Sequence, residues 1–364
     1  MVNSADTGLP GALADATERA LAEAEIRLPP DVLAALRRAA AAERDEIARC
    51  ELANILENIT LAEERQVPIC QDTGVPVVYL TLPADIPYTH SLIEGVREGG
   101  RGATATIPLR PNVVDPLTRK NTGDNTGVGM PAVHVTPGDR LTITVLPKGA
   151  GSENASRIGM LLPSQAADIP KFVAETMLIA GGRPCPPVIL GVGIGGTFDT
   201  VAALAKEALL LPVDTMDDYE QELCDATNAL GIGPMGLGGD TTALAVKVKR
   251  ADCHTASLPV AVNVQCWACR RARVTRSPAR DEAHLRMIAE GIPFDPKGAV
   301  VYHCGPVVQG GRLVVAGPTT SARMNTLTGF LIDAGVRALI GKGGMGAGVV
   351  EQLRGRAVYL ALTG

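Results

Sequence analysis

Cys70, Cys185 and Cys266 lie far apart along the chain, yet each sits in a short stretch suited to chemistry more than to packing: PICQDTG, RPCPPV and NVQCWACRR. Brought to one place, three thiolates could hold a single iron-sulfur cluster. On a cubane of four irons, three protein ligands leave one iron open. That open corner can bind the hydroxyl and carboxylate of a small acid, so the expected chemistry is that of a Lewis-acid hydro-lyase. The competing reading is a four-ligand zinc site made from Cys253, His254, Cys266 and Cys269. A strand through LPVAVNVQ would hold its two halves apart by roughly 3.3 Å per residue. Cys50 and Cys224 fall within helical patterns and read as buried thiols.

These residues must be positioned by a chain of 364 residues, longer than a single core usually supports, so two domains are expected. Hydrophobic residues make up 46% but aromatics only 3%, which leaves the core to Ala, Val, Leu and Ile. With 40 Gly and 26 Pro, tight turns abound, and a site made from loops is expected. A net charge of -5 with no Lys/Arg run excludes a nucleic-acid partner. No secretory pattern and no long apolar span is present, so a cytoplasmic protein without a membrane partner is expected. Eight cysteines in such a chain favour metal or redox chemistry over a disulfide framework.

From Asp31, which can cap a helix, the run DVLAALRRAAAAERDEIARCELANILENITLAEERQ reads as one or two amphipathic helices. Residues 95–128, with LRPNVVDPLTRKNTGDNTG, read as mostly loop, where function concentrates. RLTITVLP alternates like a strand and enters the glycine turn of KGAGSENASRIGML, which is expected to feed a helix. PPVILGVGIGGTFDTVAALAKEALLL repeats strand, glycine turn and helix, and GIGPMGLGGDTTALAVKV is a third glycine-rich element. Such turns can present backbone N–H groups to anions, although they also serve simply to connect elements. A boundary is expected at residues 270–282, giving domains 1–275 and 276–364. Beyond it, GAVVYHCGP, LVVAGP, ALIGKGG and AVYLALTG read as short strands and ARMNTLTGFLIDAGV as a helix closed by Gly.

In order, these blocks together with HTASLPVAVNVQCWACRRA, GPTTSARM and IGKGG resemble the iron-sulfur dependent hydro-lyases, the class I fumarate hydratases and the related L(+)-tartrate dehydratases. The resemblance spans residues 30–364. It implies an α+β / α/β fold, with a larger alpha-type domain of long N-terminal helices and mixed sheets and a smaller β/β/α swivelling-type domain, the active site lying between them. It implies that Cys70, Cys185 and Cys266 ligate a [4Fe-4S] cluster. Asp72 and Thr319 are then proton carriers, and Gln71, Arg110, Gly149, His254, Arg280, Arg323 and Lys342 bind the substrate. The partners implied are a small dicarboxylate, fumarate/malate or tartrate, and a second copy in a homodimer.

Arg suits this role because its fork pairs with a carboxylate through two donors, whereas Lys acts as a point charge. The chain departs from the family in its beta part, which reads as shortened: it lacks a strand-rich segment before Arg280 and ends at LALTG. Asn325 also follows GPTTSARM where the family has an acid. Reversible hydration of fumarate to L-malate is the expected function. Tartrate dehydration is the nearest alternative, and a catalytically silent, truncated cluster-binding homologue is the alternative of another class. GVGIGG lacks the last Gly spacing of a dinucleotide fingerprint, and no phosphate-loop Lys-Ser/Thr pair follows.

Overall fold

Ala- and Leu-rich stretches form three long helices at the N-terminus, α1 (Leu9–Ile26), α2 (Pro30–Ala42) and α3 (Glu46–Arg65). Pro30 opens α2 where its missing N–H costs no hydrogen bond. Asp45 starts α3 by accepting the N–H groups of Ile47 and Ala48, each at 3.0 Å. The run expected as one or two helices is therefore two, and α1 precedes them. The computed structural model describes residues 9–84, 86–275, 287–288, 291–309, 312–318, 321–325 and 328–362. These form two compact units, which divide after Thr275.

The first unit continues with β1 (Val75–Leu82), α4 (His90–Thr106), β2 (Ala132–Pro137), β3 (Thr142–Lys148), the single turn α5 (Ala150–Glu153), β4 (Arg157–Leu161) and α6 (Ile169–Ala180). It is completed by β5 (Val188–Gly196), α7 (Phe198–Ala208), α8 (Asp218–Asn228), β6 (Ala243–Cys253), β7 (Leu258–Gln265) and β8 (Ala272–Thr275). Two mixed four-stranded sheets result. In the first, ordered β2-β1-β3-β8, only β1 and β2 run parallel. In the second, ordered β4-β7-β5-β6, only β5 and β6 do.

α1 and α4 share a core with the first sheet, including Leu13, Leu21, Leu92, Val96, Val78, Leu80 and Ile143. α4 occupies residues expected to be mostly loop; the irregular stretch begins only after it, at Ile107. A Cβ on Gly191 or Gly193 of GVGIGG would stand 2.0 Å from the Ala205 carbonyl or 2.3 Å from that of Val201. These glycines therefore let α7 lie against β5. The turn at KGAGSEN leads to the strand β4 and not to a helix. β8 extends the first sheet through residues where a domain boundary was expected.

The second unit holds β9 (Val300–Tyr302), β10 (Cys304–Gln309), β11 (Arg312–Pro318), α9 (Gly329–Ala334), β12 (Ala338–Lys342), α10 (Ala347–Leu353) and β13 (Val358–Leu362). β13-β12-β9 form a parallel sheet, and β10 and β11 an antiparallel hairpin. α9 is shorter than expected because Ser321–Met324 makes a separate 3-10 turn; Gly335, at φ 110°, closes it. Leu331, Ile332, Val349 and Leu353 of the two helices cover Leu339 on one face of the sheet. Val300, Tyr302, Val358 and Leu360 on the opposite face are exposed. Among the described residues no helix is long and apolar enough to cross a membrane.

Candidate active site

Three connections of the first unit carry the three cysteines. Cys70 follows α3, Cys185 precedes β5, and Cys266 follows β7. β5 and β7 are antiparallel neighbours, with Ile189 opposite Gln265, so the start of one lies beside the end of the other. The Trp267 N–H donates to the Cys185 carbonyl at 3.3 Å, tying these two connections together. Cys185 sits at φ 55°, a left-handed conformation that costs a side-chain-bearing residue about 1 kcal/mol. The Cys70 loop is fixed from behind: the Ile69 N–H donates to the Glu25 carbonyl at 2.8 Å, and Asn58 Nδ2 to the Ile69 carbonyl at 2.9 Å.

All three thiols are part-buried and close enough for their charges to act on one another. Burial, then the charges of Cys266 and Cys70, push the Cys185 thiol up. Burial also pushes Cys266 up, opposed by the positive charges of Arg270 and Lys148. Gln265 Nε2 donates to Cys266 Sγ at 3.4 Å, while Gln265 Oε1 and Arg270 Nε are buried with no protein partner. Among the described residues no three His, Cys, Asp or Glu side chains converge tightly enough for a single metal ion. Three soft donors from separate loops, with mutually repelling charges, fit a thiolate-bound cluster better than one ion. The zinc alternative fails on placement: Cys253 and His254 end β6 beside Gly196, the far end of β5 from Cys185.

Asp72 stands next to this group. Its Oδ1 accepts from the Gly74 N–H at 3.0 Å and from Asn112 Nδ2 at 3.4 Å, and its Oδ2 from the Ala150 N–H at 2.9 Å. Gly149 closes over it, since a Cβ there would come within 3.1 Å of Asp72 Oδ2. Arg110 Nη1 donates to Gln71 Oε1 at 3.4 Å, and the Arg110 N–H to Thr73 Oγ1 at 3.1 Å. Asp72, Gln71, Arg110 and Gly149 are thus brought together. His254 is not. It is exposed in the β6–β7 turn, its Nδ1 accepting the Ala256 N–H at 3.0 Å, roughly 25 Å of strand from the cysteine end. Within the chain, His254 therefore lies apart from Asp72, Gln71, Arg110 and Gly149.

In the second unit, Lys342 ends β12 exposed to solvent. Arg280 and Thr319 lie outside the described residues, as does the side chain of Arg323 in the Ser321–Met324 turn. Asn325 accepts the Gly346 N–H at 2.8 Å and so anchors the start of α10.

Among the described residues, the buried charges of Arg270, Glu25 and Lys148 close to the cysteine segments escaped the sequence reading. Arg270 and Glu25, each 1% exposed, pair at 2.7 Å. Burial raises the Glu25 carboxyl to about 7 against the pull of Arg270. Lys148, 2% exposed, donates to Ser152 Oγ at 3.0 Å and to the Val264 carbonyl, and lies 3.3 Å from the Glu153 carboxylate. Burial pulls its ammonium down against Glu153 and Cys266. Two of the glycine-rich turns do bind anions, but internal ones. Glu43 accepts the Asp240 and Thr241 N–H groups at 3.0 and 3.2 Å, and Asp72 accepts that of Ala150. The one signal for Arg270 was its adjacency to a candidate ligand segment. Cys269, fully buried, packs in the core beside Leu209 and Ala268, as an incidental thiol does.

The sequence matches the family described as Fumarate hydratase (Fumerase) over residues 14–275, and that described as Fumarase C-terminus over residues 275–364. A Methanocaldococcus jannaschii protein named for the alpha subunit of L(+)-tartrate dehydratase is 47% identical over 71% of this chain and 96% of its own length. The Escherichia coli K12 L(+)-tartrate dehydratase subunit alpha is 32% identical over 67% of this chain and 84% of its own. A Geobacillus stearothermophilus protein named for class I fumarate hydratase is 31% identical over 94% of this chain and 84% of its own. The chain thus belongs to the class I fumarate hydratase family of hydro-lyases, in which proteins named for the tartrate dehydratase alpha subunit also fall.

Proposed function

We propose that the chain reversibly hydrates fumarate to L-malate, with Cys70, Cys185 and Cys266 as ligands of a [4Fe-4S] cluster. The observation that carries this reading is the gathering of three thiols from distant segments beside Asp72, Gln71 and Arg110. When bound, a cluster with three protein ligands supplies a Lewis acid for the substrate hydroxyl. Arg110 and Gln71 hold one substrate carboxylate, Arg through its fork. Asp72, fixed by N–H donors from two sides, is the proton acceptor beside that carboxylate. Thr319, Arg280, Arg323 and Lys342 enter the same proposal as its second-unit residues, on the resemblance alone.

Tartrate dehydration is the second reading, favoured by the 47% match to a protein named for that activity. Fumarate is preferred because the relative matching 94% of the chain is named for fumarate hydratase. Anaerobic reconstitution with iron and sulfide, followed by turnover assays on malate and tartrate, tests both. Cys70→Ala, Cys185→Ala and Cys266→Ala are expected to abolish turnover and lower bound iron; full activity in any of them would sink the proposal.

A further inference from the structure

Arg270 links two segments close to the cysteine group. Its Nη1 donates to Glu25 Oε2 of α1 at 2.7 Å, and its Nη2 donates to the Asp72 carbonyl at 2.9 Å. Both contacts come from one rigid guanidinium, and a Cβ on Gly149 would stand 3.8 Å from Nη2. Arg270 itself lies four residues beyond Cys266, on the connection whose Trp267 N–H holds the Cys185 carbonyl. Glu25 works from the other side, its backbone carbonyl accepting the Ile69 N–H next to Cys70 at 2.8 Å. One buried pair thus binds α1, the Cys70–Asp72 loop and the Cys266 connection.

A buried ion pair is a poor source of stability, because desolvating two charges offsets most of their attraction. Its presence here calls for another role. A cluster of this kind with three thiolates carries net negative charge, and Arg270 is a buried permanent cation whose field reaches both Cys70 and Cys266.

We propose that Arg270, oriented by Glu25, is a positioning residue that sets the Cys70–Asp72 loop against the Cys266 connection and supplies the counter-charge of the cysteine group. The proposal rests on reading the three cysteines as one cluster site. Arg270→Lys keeps the charge but loses the fork, since an ammonium cannot make both contacts in the same geometry. Glu25→Gln/Arg270→Met removes the pair without stranding a buried carboxylate, and of its two charges that of Arg270 is the one that acts on Cys70 and Cys266.

Three measurements on the full chain separate these roles: amide exchange across residues 69–74 in the metal-free protein, iron loss to a chelator, and the cluster's midpoint potential. Both variants are expected to speed exchange at 69–74 and to lose iron about tenfold faster, the usual scale for a group that supports a ligand. Only the double variant is expected to lower the midpoint potential. Wild-type exchange and iron retention in both variants would overturn the positioning role. A potential unmoved in the double variant would overturn the counter-charge role. If the wild-type chain takes up no iron, the cluster reading itself fails, along with the counter-charge. The exchange measurement then still decides whether Arg270 holds the loop.

Discussion

Asp72 is held by hydrogen bonds that all come from outside its own side chain, two from backbone N–H groups and one from Asn112. Asparagine can neither accept a proton nor offer two acceptor atoms to these donors, so Asp72→Asn is expected to cut malate dehydration by roughly a hundredfold to ten-thousandfold and to lower the melting temperature by a few degrees. Steady-state assay beside thermal unfolding checks this. Glu25 gives a prediction of stability against pH. Its folded carboxyl is raised from 4.5 to about 7, so between those values the folded chain holds a proton that the unfolded chain has released. The stability it contributes is full below about pH 4.5 and is lost as pH rises through about 7. Glu25→Gln is expected to flatten that part of the profile, measured by denaturant unfolding at a series of pH values. At this scale the sequence singled out Cys70, Cys185 and Cys266 as candidates, because short segments combining Cys, Pro and Gly are visible without a fold, and Asp72 only through the family resemblance. Glu25, Lys148 and Arg270 were illegible because a charge inside a helical or basic run looks like a solvated one until its partner, up to 245 residues away, is known.

The helices and strands show why some of the sequence reading failed. α4 was hidden because four glycines in EGVREGGRG argue against a helix, and only its packing against α1 outweighs that propensity. β4 was expected as a helix because RIGML is too short for its period to be read, and pairing with β7 decides its conformation. β8 and Arg270 were assigned to a linker because RRARVTRS is charged, although Ala272 is buried and the strand completes the first sheet. The β5–α7 unit was legible, but its glycines serve packing. Gly191→Val is accordingly expected to destabilise the first unit by about 3 kcal/mol or more, since the new side chain meets the α7 backbone. A comparable loss on Val192→Ala, a cavity-forming change one residue away, would not test this; only Gly191→Val measured against Gly191→Ala grades the effect with side-chain size.

Over the whole molecule, the division after Thr275 coincides with the junction of the two family matches. All three candidate ligands precede it. A fragment of residues 1–275 is therefore expected to unfold as one cooperative unit and, after anaerobic reconstitution, to hold iron and sulfide in the proportion of the full chain. Malate turnover is expected to vanish in it, because Arg323 and Lys342, proposed to bind the substrate, are gone; iron analysis and assay of the same sample check both halves of the statement. Glu25 meets Arg270 across 245 positions. A ribosome must accordingly finish about three quarters of the polypeptide before the Glu25 carboxyl finds its mate, and contacts of such long range form late. Until then the Cys70–Asp72 loop is held only through Ile69, by the Glu25 carbonyl and Asn58, and its tie to the Cys266 connection closes only once residue 270 has emerged.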